Sequence, residues 1–383
     1  MRILSISCGR SDVGILTPVW KSLLKNIQTE LHVILTGEHI KNTNSLDKII
    51  LPSRAIAHFC GANIAGQENE SIGSPLGAIV SDVIDLAVKI EPDRILIIGD
   101  RLEMMAAAFG ISALNIPLVH LHGGEFSYGA IDDRLRHAIS KLSHLHCSAN
   151  SSSASIISRM GEECWRIHVT GAPGLDTLLN AEVISSKELA KSIGLPSLEG
   201  LRIVTVHAET NSPDPLTPAR SVFAALEQHP APTIVTAPNA DPGSQKIRKL
   251  KSQFIHQTNE TIFIESLGNN LYPNVLRQAN VMVGNSSSGI VEAGLFGLPV
   301  INVGQRQDGR QHGSNVIDVP AKPEDILKEL ITIPKRYSAN FIYGDGCSGA
   351  RVAKVVTNNY DRNRLLTKNF SNDLQEFIDP WEE

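Results

Sequence analysis

Val281 to Gly304 reads VMVGNSSSGIVEAGLFGLPVINVG, and three consecutive hydroxyls, Ser286, Ser287 and Ser288, lie there between Gly284 and Gly289. The stretch has the pattern of a short apolar strand, a polar loop, a helical segment over Ile290 to Phe296, a stop at Gly297 and Pro299, and a second strand from Leu298. A loop at that position offers free backbone N–H groups and the positive end of a helix dipole, both of which favour an anion. The hydroxyls of Ser286 and Ser287 add donors suited to a diphosphate. Glu292 follows Ser286 by six residues, roughly 9 Å along a helix at 1.5 Å per residue, which places a carboxylate at ribose distance from a phosphate. A serine cap on an ordinary helix stays open as the plainer reading.

A second set of reactive types stands where apolar runs end. Arg10, Asp100, Arg101, His122 and Glu125 each follow such a run, and His207, Asn239, Ser266 and Arg306 do so later in the chain. Grouped cations beside a serine loop suit a diphosphate. Each residue also has a structural reading. Asp100 is a common helix-cap type. Asp132 and Asp133 have the look of an acidic first helical turn. His120 and His122 share an HxH spacing that binds metal on some strands, but no third ligand or cysteine stands nearby, so no metal is expected. Gly123-Gly124 reads either as a close backbone approach or as a plain turn, and Asn239 within PNAD also has a turn reading.

The elements that must carry these residues alternate. Strands are expected at Arg2–Ser7, Glu30–Thr36, Arg94–Ile98, Leu118–Leu121, Arg202–Val206, Thr233–Thr236 and Thr261–Glu265. Helices are expected from about Thr17 to Lys25, Ser74–Ile90, Leu102–Leu114, Pro218–Glu227 and Asn274–Ala279, with Cys8 to Gly14 as a loop. Such alternation argues for parallel sheets covered on both faces, with ligands outside the carboxyl ends of the strands. The fold class is therefore α/β. We expect a first Rossmann-like domain over residues 1–181 carrying the catalytic residues, a linker over 182–200, and a second over 201–366 binding nucleotide across an interdomain cleft. A C-terminal helix over 367–383 is expected to cross back to the first.

The net charge of −5 gives no reason to expect nucleic acid or an anionic membrane as a bulk partner. Five scattered cysteines without a CxxC pair favour a reducing, cytoplasmic setting and argue against a zinc site. The opening MRILSISCGRSDVG is expected to be a first strand rather than a signal peptide. No apolar run reaches transmembrane length.

Several segments taken together resemble one family. GDRLEMMAAA, HGGEFSYGAIDDRLRHAISKLSHLH, GAPGLD, PNADPGS, ESLG and VGNSSSGIVEAGLFGLPVINVGQRQDGR are similar to the hydrolysing UDP-N-acetylglucosamine 2-epimerases of sialic, legionaminic and related nonulosonic acid pathways. The resemblance runs from Arg2 to about Val319. It implies the two-Rossmann glycosyltransferase B architecture, with elimination of UDP across carbons 1 and 2 to a glycal. Water then adds to give the 2-epimeric free sugar, N-acetylmannosamine. It implies no cofactor, a UDP-sugar substrate, UDP as product, and a homodimer or homotetramer. By the same resemblance Ser286 and Ser287 hold the diphosphate and Glu292 the ribose. Arg10, Arg101, His207, Asn239, Ser266 and Arg306 complete the nucleotide site, and Asp100 and Asp132 match acidic catalytic positions.

The chain also departs from that pattern. The sialic-acid branch ends the relevant strand in IEGGE, whereas this sequence has HLHGGE, with His122 at the first glutamate. His122 is then a candidate base, and Glu125 a candidate to replace the missing carboxylate. Val13 and Ala208 stand where an aromatic residue and proline are frequent. YGAIDD, where that branch has SGTVDD or SGTIDD, looks more like enzymes acting on UDP- or GDP-2,4-diacetamido-2,4,6-trideoxyglucose. A glycosyltransferase of the same fold and a non-catalytic sugar-nucleotide-binding regulator remain as other classes. A non-hydrolysing epimerase is a nearer competitor, although the EAGLR-like strand end of that group is absent.

Overall fold

The computed structural model describes residues 1–40, 51–64, 71–128, 131–238, 243–257 and 260–381 of the 383. In chain order the elements are β1 (Arg2–Ser7), α1 (Arg10–Leu23), β2 (Glu30–Leu35), β3 (Ala55–Phe59), α2 (Gly73–Ile90), β4 (Arg94–Ile98), α3 (Leu102–Ser112), β5 (Leu118–Leu121), α4 (Asp132–Leu142), β6 (Leu145–Ser148), α5 (Ser151–Arg159), β7 (Ile167–Val169), α6 (Gly174–Leu179) and α7 (Ser186–Ile193). There follow β8 (Arg202–Thr205), α8 (Thr217–Gln228), β9 (Thr233–Thr236), α9 (Ser244–Gln257), β10 (Thr261–Ile264), α10 (Gly268–Gln278), β11 (Val281–Gly284), α11 (Ser287–Val291), β12 (Val300–Val303), β13 (Val316–Val319), α12 (Pro323–Thr332), α13 (Ser348–Thr357) and α14 (Arg362–Leu366).

Two compact units result. The first comprises Met1–Glu125, Asp132–Thr177 and Tyr343–Glu383, and the second Phe126–Ile131 and Leu178–Ile342. The first unit has a parallel sheet in the order β3-β2-β1-β4-β5-β6-β7. The second has a parallel sheet in the order β10-β9-β8-β11-β12-β13. Both orders reverse direction once, between β1 and β4 and between β8 and β11. At such a switch point the loops leaving the two central strands diverge to opposite faces and open a crevice. Arg10, Asp100 and Arg101 leave the first switch point, and His207 and Ser286 leave the second.

The strands form because they are short apolar runs buried on both faces: Ile3, Leu4 and Ile6 of β1 and Ile95, Leu96 and Ile97 of β4 are fully buried. Trp20 of α1 covers them, and its indole N–H donates to Ser5 Oγ at 2.9 Å.

Three features differ from the sequence reading. First, α1 begins at Arg10, because the Asp12 carboxylate accepts from the N–H groups of Cys8 (2.8 Å) and Gly9 (3.2 Å) and so starts the helix there. Only Cys8-Gly9 is loop. Second, residues 182–200 are more than a linker. They contain α7, with a Ser185/Glu188 capping box and a left-handed Gly194 end. Asn274 ties the segment to α10, its side chain accepting from Ile184 N and donating to Glu182 O. Third, residues 343–366 pack with the first unit. Val352, Val356 and Leu365 join its core, and Gly349 lets α13 lie against Pro18. The Asp176 carboxylate caps α13 through the N–H groups of Ser348 and Gly349.

The expected C-terminal helix is also absent over the described residues 367–381. Its apolar positions Phe370, Leu374 and Ile378 keep helical spacing but stay exposed, so no face of a helix would be buried. The tail is fixed by Phe377, which packs on Ala154, Ile157 and Ile167, and by individual bonds. Arg166 donates to the carbonyls of Arg364, Leu365 and Thr367, and Lys368 to those of Lys141 and Ser143.

Candidate active site

In the first unit the reactive side chains cluster at the ends of β4 and β5. Asp100 follows Gly99, whose φ of +71° turns the chain off β4. The Asp100 carboxylate pairs with the guanidinium of Arg136 from α4. Arg136 is buried and also donates to the Glu125 carbonyl at 2.6 Å, while Asp133 stands 3.9 Å away. Burial alone would lower the Arg136 guanidinium, but the Asp100 and Glu125 carboxylates outweigh it and raise it. Arg136 therefore joins the end of β4 to the segment after β5.

His122 lies one residue past β5 with φ +62°, a left-handed conformation uncommon outside glycine. That backbone costs on the order of 1 kcal/mol or more and clusters at functional positions. It turns the imidazole onto Glu125, with Nδ1 to Oε1 at 2.7 Å. The ring is 16% exposed and the Glu125 side chain 6%. A carboxylate can only accept, so Nδ1 carries the proton, and in the neutral imidazole Nε2 holds the lone pair. Nε2 is buried and has no hydrogen-bond partner. His120, inside β5, is different. Its Nε2 meets the Gly99 carbonyl at 2.8 Å and its Nδ1 the Ser140 hydroxyl at 3.1 Å, and burial lowers its pKa to about 3. It braces the β4 turn. Among the described residues no group of three His, Cys, Asp or Glu side chains is arranged to hold a metal. Asp132 begins α4, one residue before Asp133, which reaches His137 at 3.7 Å.

Arg101 turns the other way. It donates to Glu38 at 2.8 Å and Ser11 at 3.2 Å, beneath Gly9, where a Cβ would touch the guanidinium. Burial opposes its charge, but Asp12, Glu38 and Glu103 outweigh that and raise it. Burial raises the carboxyls of Asp12 and Glu103 in turn. Arg101 is thus tied into an acidic surround, while Arg10 is exposed on the first turn of α1.

In the second unit the switch point is built mainly from neutral groups. Asn285, fully buried, accepts from His207 N at 2.7 Å and donates to His207 O at 3.0 Å. Its own carbonyl receives Arg306 (3.3 Å) and Gln307 (2.9 Å). Burial, and then the Arg306 charge, push the His207 imidazole well below its ordinary pKa, so it is neutral. Glu209 accepts from the N–H groups of Gln305 (2.7 Å) and Arg306 (3.1 Å) and so shapes the turn after β12. Ser286 caps α11 by accepting from Ser288 N at 3.3 Å. That helix has five residues before a tighter turn over Ala293–Phe296, so the hydroxyls and N–H groups matter there more than a dipole. Glu292 follows at the end of α11, its carboxyl raised by burial and drawn back by a hydrogen bond from Tyr272. Ser266 follows β10, at the edge of the sheet, and accepts from Gly268 N at 3.4 Å. Asn239 lies outside the described residues. Phe126–Ile131 packs as part of this unit. Arg310 donates to the Phe126 carbonyl (2.9 Å) and Ser127 Oγ (3.2 Å), and Asn211 to the Tyr128 carbonyl (3.1 Å).

A sequence profile described as UDP-N-acetylglucosamine 2-epimerase matches residues 21–357, most of the chain. The chain belongs to that family. Among its members, the UDP-N,N'-diacetylbacillosamine 2-epimerase (hydrolyzing) of Legionella pneumophila is 32% identical over 373 residues, covering 96% of this chain and 98% of the relative. The UDP-N-acetylglucosamine 2-epimerase of Neisseria meningitidis serogroup B is 34% identical over 380 residues, with the same coverage. The crystal structure of UDP-GlcNAc 2-epimerase from Neisseria meningitidis bound to UDP-GlcNAc superposes with a TM-score of 0.77 at 18% identity, covering 94% of this chain and 100% of that one. With the two parallel sheets, this likeness shows the fold class: two Rossmann-like domains of the glycosyltransferase B type. Among the described residues no helix is long and apolar enough to cross a membrane.

Proposed function

We propose that the chain is a hydrolysing 2-epimerase that converts UDP-N-acetylglucosamine and water to N-acetylmannosamine and UDP through a glycal. The observation that carries this reading is the His122–Glu125 pair, in which a carboxylate orients an imidazole whose Nε2 lone pair has no protein partner. That is the arrangement of a general base. His122 Nε2 takes the proton from carbon 2. The carbon 1–oxygen bond breaks as the double bond forms, and UDP leaves with the electron pair. Water then adds, with hydroxyl to carbon 1 and a proton to carbon 2 on the opposite face. Asp100, fixed by Arg136, and Asp132 at the head of α4 are the carboxyl groups for that second transfer.

In the same reading Ser286 and Ser287 hold the diphosphate with neutral donors, Glu292 takes the ribose, and Arg306 and the exposed Arg10 supply charge to the leaving group. Arg101 acts by ordering the β1 and β4 turns, and His207 by holding Asn285. Asn239 and Ser266 stay in the nucleotide set on sequence alone. We place the enzyme in the cytoplasm as a homodimer or homotetramer.

A second substrate is favoured by one feature. His122 stands in HLHGGE, and relatives from Legionella pneumophila and Campylobacter jejuni are named for UDP- and GDP/UDP-N,N'-diacetylbacillosamine. The test is steady-state turnover of UDP-N-acetylglucosamine and of UDP-2,4-diacetamido-2,4,6-trideoxyglucose in parallel, reading UDP release and the mass of the sugar. A higher kcat/KM on the diacetamido sugar assigns that substrate. A sugar still joined to UDP refutes hydrolysis.

A further inference from the structure

One phenol at the loop end of the second unit has no part in the reaction above. Tyr272 lies on α10 and is half-buried. Its hydroxyl oxygen meets Ser288 Oγ at 2.8 Å. Ser288 in turn meets Ser286 Oγ through its backbone N–H and through its hydroxyl, each at 3.3 Å. Tyr272 also hydrogen-bonds Glu292. A single side chain from a neighbouring helix therefore touches both parts of the stretch assigned to the nucleotide: the serine loop and the carboxylate four residues beyond Ser288.

We infer that Tyr272 is a positioning residue that makes nucleotide recognition ribose-specific, by fixing Ser288 and Glu292 so that the carboxylate faces a vicinal diol. The inference rests on the nucleotide reading of the serine loop. An ionised carboxylate offers about four lone-pair sites and no donor. One of them is taken by the phenol, which fixes the rotamer, and the others remain for the two ribose hydroxyls. The phenol can only serve this way while it keeps its proton, and it does. Burial and then the Glu292 charge raise its pKa well above the ordinary tyrosine value. The packed surroundings raise the Glu292 carboxyl, and the Tyr272 hydrogen bond opposes that rise. A phenylalanine would fill the same space and lack only the oxygen.

The experiment compares UDP and 2′-deoxy-UDP binding by calorimetry, on the full-length wild type, Tyr272→Phe and Glu292→Ala. The wild type is expected to prefer UDP by about tenfold or more. Tyr272→Phe should lose about tenfold in UDP affinity, bring the ribo-to-deoxy ratio close to one, and leave kcat within about twofold. Its binding should also fail at a higher pH on the acid side, since the Glu292 carboxyl loses the bond that holds it down. Glu292→Ala should show the same loss of preference. A ratio unchanged in Tyr272→Phe overturns the inference, and partial unfolding cannot mimic this because both ligands report on one preparation. A wild type that binds UDP without preferring ribose overturns the inference alone. A wild type that binds no UDP overturns the nucleotide reading with it.

Discussion

The carboxyl ends of β4 and β5 are crowded with charge, whereas those of β8 and β11 are lined mainly by neutral donors. In the first region Asp100 pairs with Arg136, His122 with Glu125, and Arg101 with Glu38. In the second, Asn285, the serine hydroxyls, Tyr272 and a neutral His207 carry most of the hydrogen bonding. Both regions sit at the single reversal of a parallel sheet, so topology alone does not set their chemistry. In the proposed reading the first region moves protons and so holds charge in a packed setting, where Asp100 and Arg101 each have a counter-charge because an unpaired one is costly. Groups that recognise a polar ligand need only fixed dipoles of the right spacing.

Breaking the charged region should have the largest effect. Asp100→Asn should lower formation of the 2-epimeric free sugar about 10³-fold while leaving UDP affinity within about twofold, measured by the yield of that sugar and by calorimetry. Comparable losses in both would erase the division between the regions. Glu125→Ala frees Nδ1 of His122 and the ring orientation, so kcat should fall about 10²-fold with KM nearly constant. In the neutral region Ser286→Ala should do the reverse, raising KM about tenfold with kcat little changed, as expected for lost ground-state binding.

A smaller effect concerns buried histidines. His39 and His120 in the first unit have pKa values lowered to about 4 and about 3, both chiefly by burial, and His207 in the second is lowered by burial and then by Arg306. In the unfolded chain each takes a proton near pH 6.5, but in the native protein it does not. The unfolded state then binds more protons below that pH, so stability rises with pH there. Urea unfolding should show full stability above pH 6.5 and a progressive loss towards pH 4. His120→Gln should flatten part of that slope. The smallest expected change is at Arg310. Arg310→Ala removes its bonds to Phe126 and Ser127, and should speed amide exchange over 126–128 while costing about 1 kcal/mol of stability.

Sequence pattern revealed the strand ends well, because β1, β4 and β5 are continuous apolar runs that stop at reactive residues. It also revealed the serine loop. Arg136 was hidden: along the helix it reads as one more surface charge, and its partner Asp100 is 36 residues away. Tyr272 fell outside the helix expected from Asn274, since Pro273 masks an α10 that starts at Gly268. β7 is too short, and β13 too polar in Asp318, to stand out as strands. Residues 343–366 carry no local mark of the unit they join. That is decided by distant packing, as where Arg94 reaches the carbonyls of Val355 and Asn358.

The central claim is elimination followed by hydration, and a proton NMR time course in heavy water with UDP-N-acetylglucosamine tests it most directly. The account predicts free UDP together with N-acetylmannosamine carrying deuterium at carbon 2, and loss of the N-acetylmannosamine signal's growth in Asp100→Asn. A 2-epimer that remains attached to UDP, or a free sugar that retains its original hydrogen at carbon 2, would contradict it.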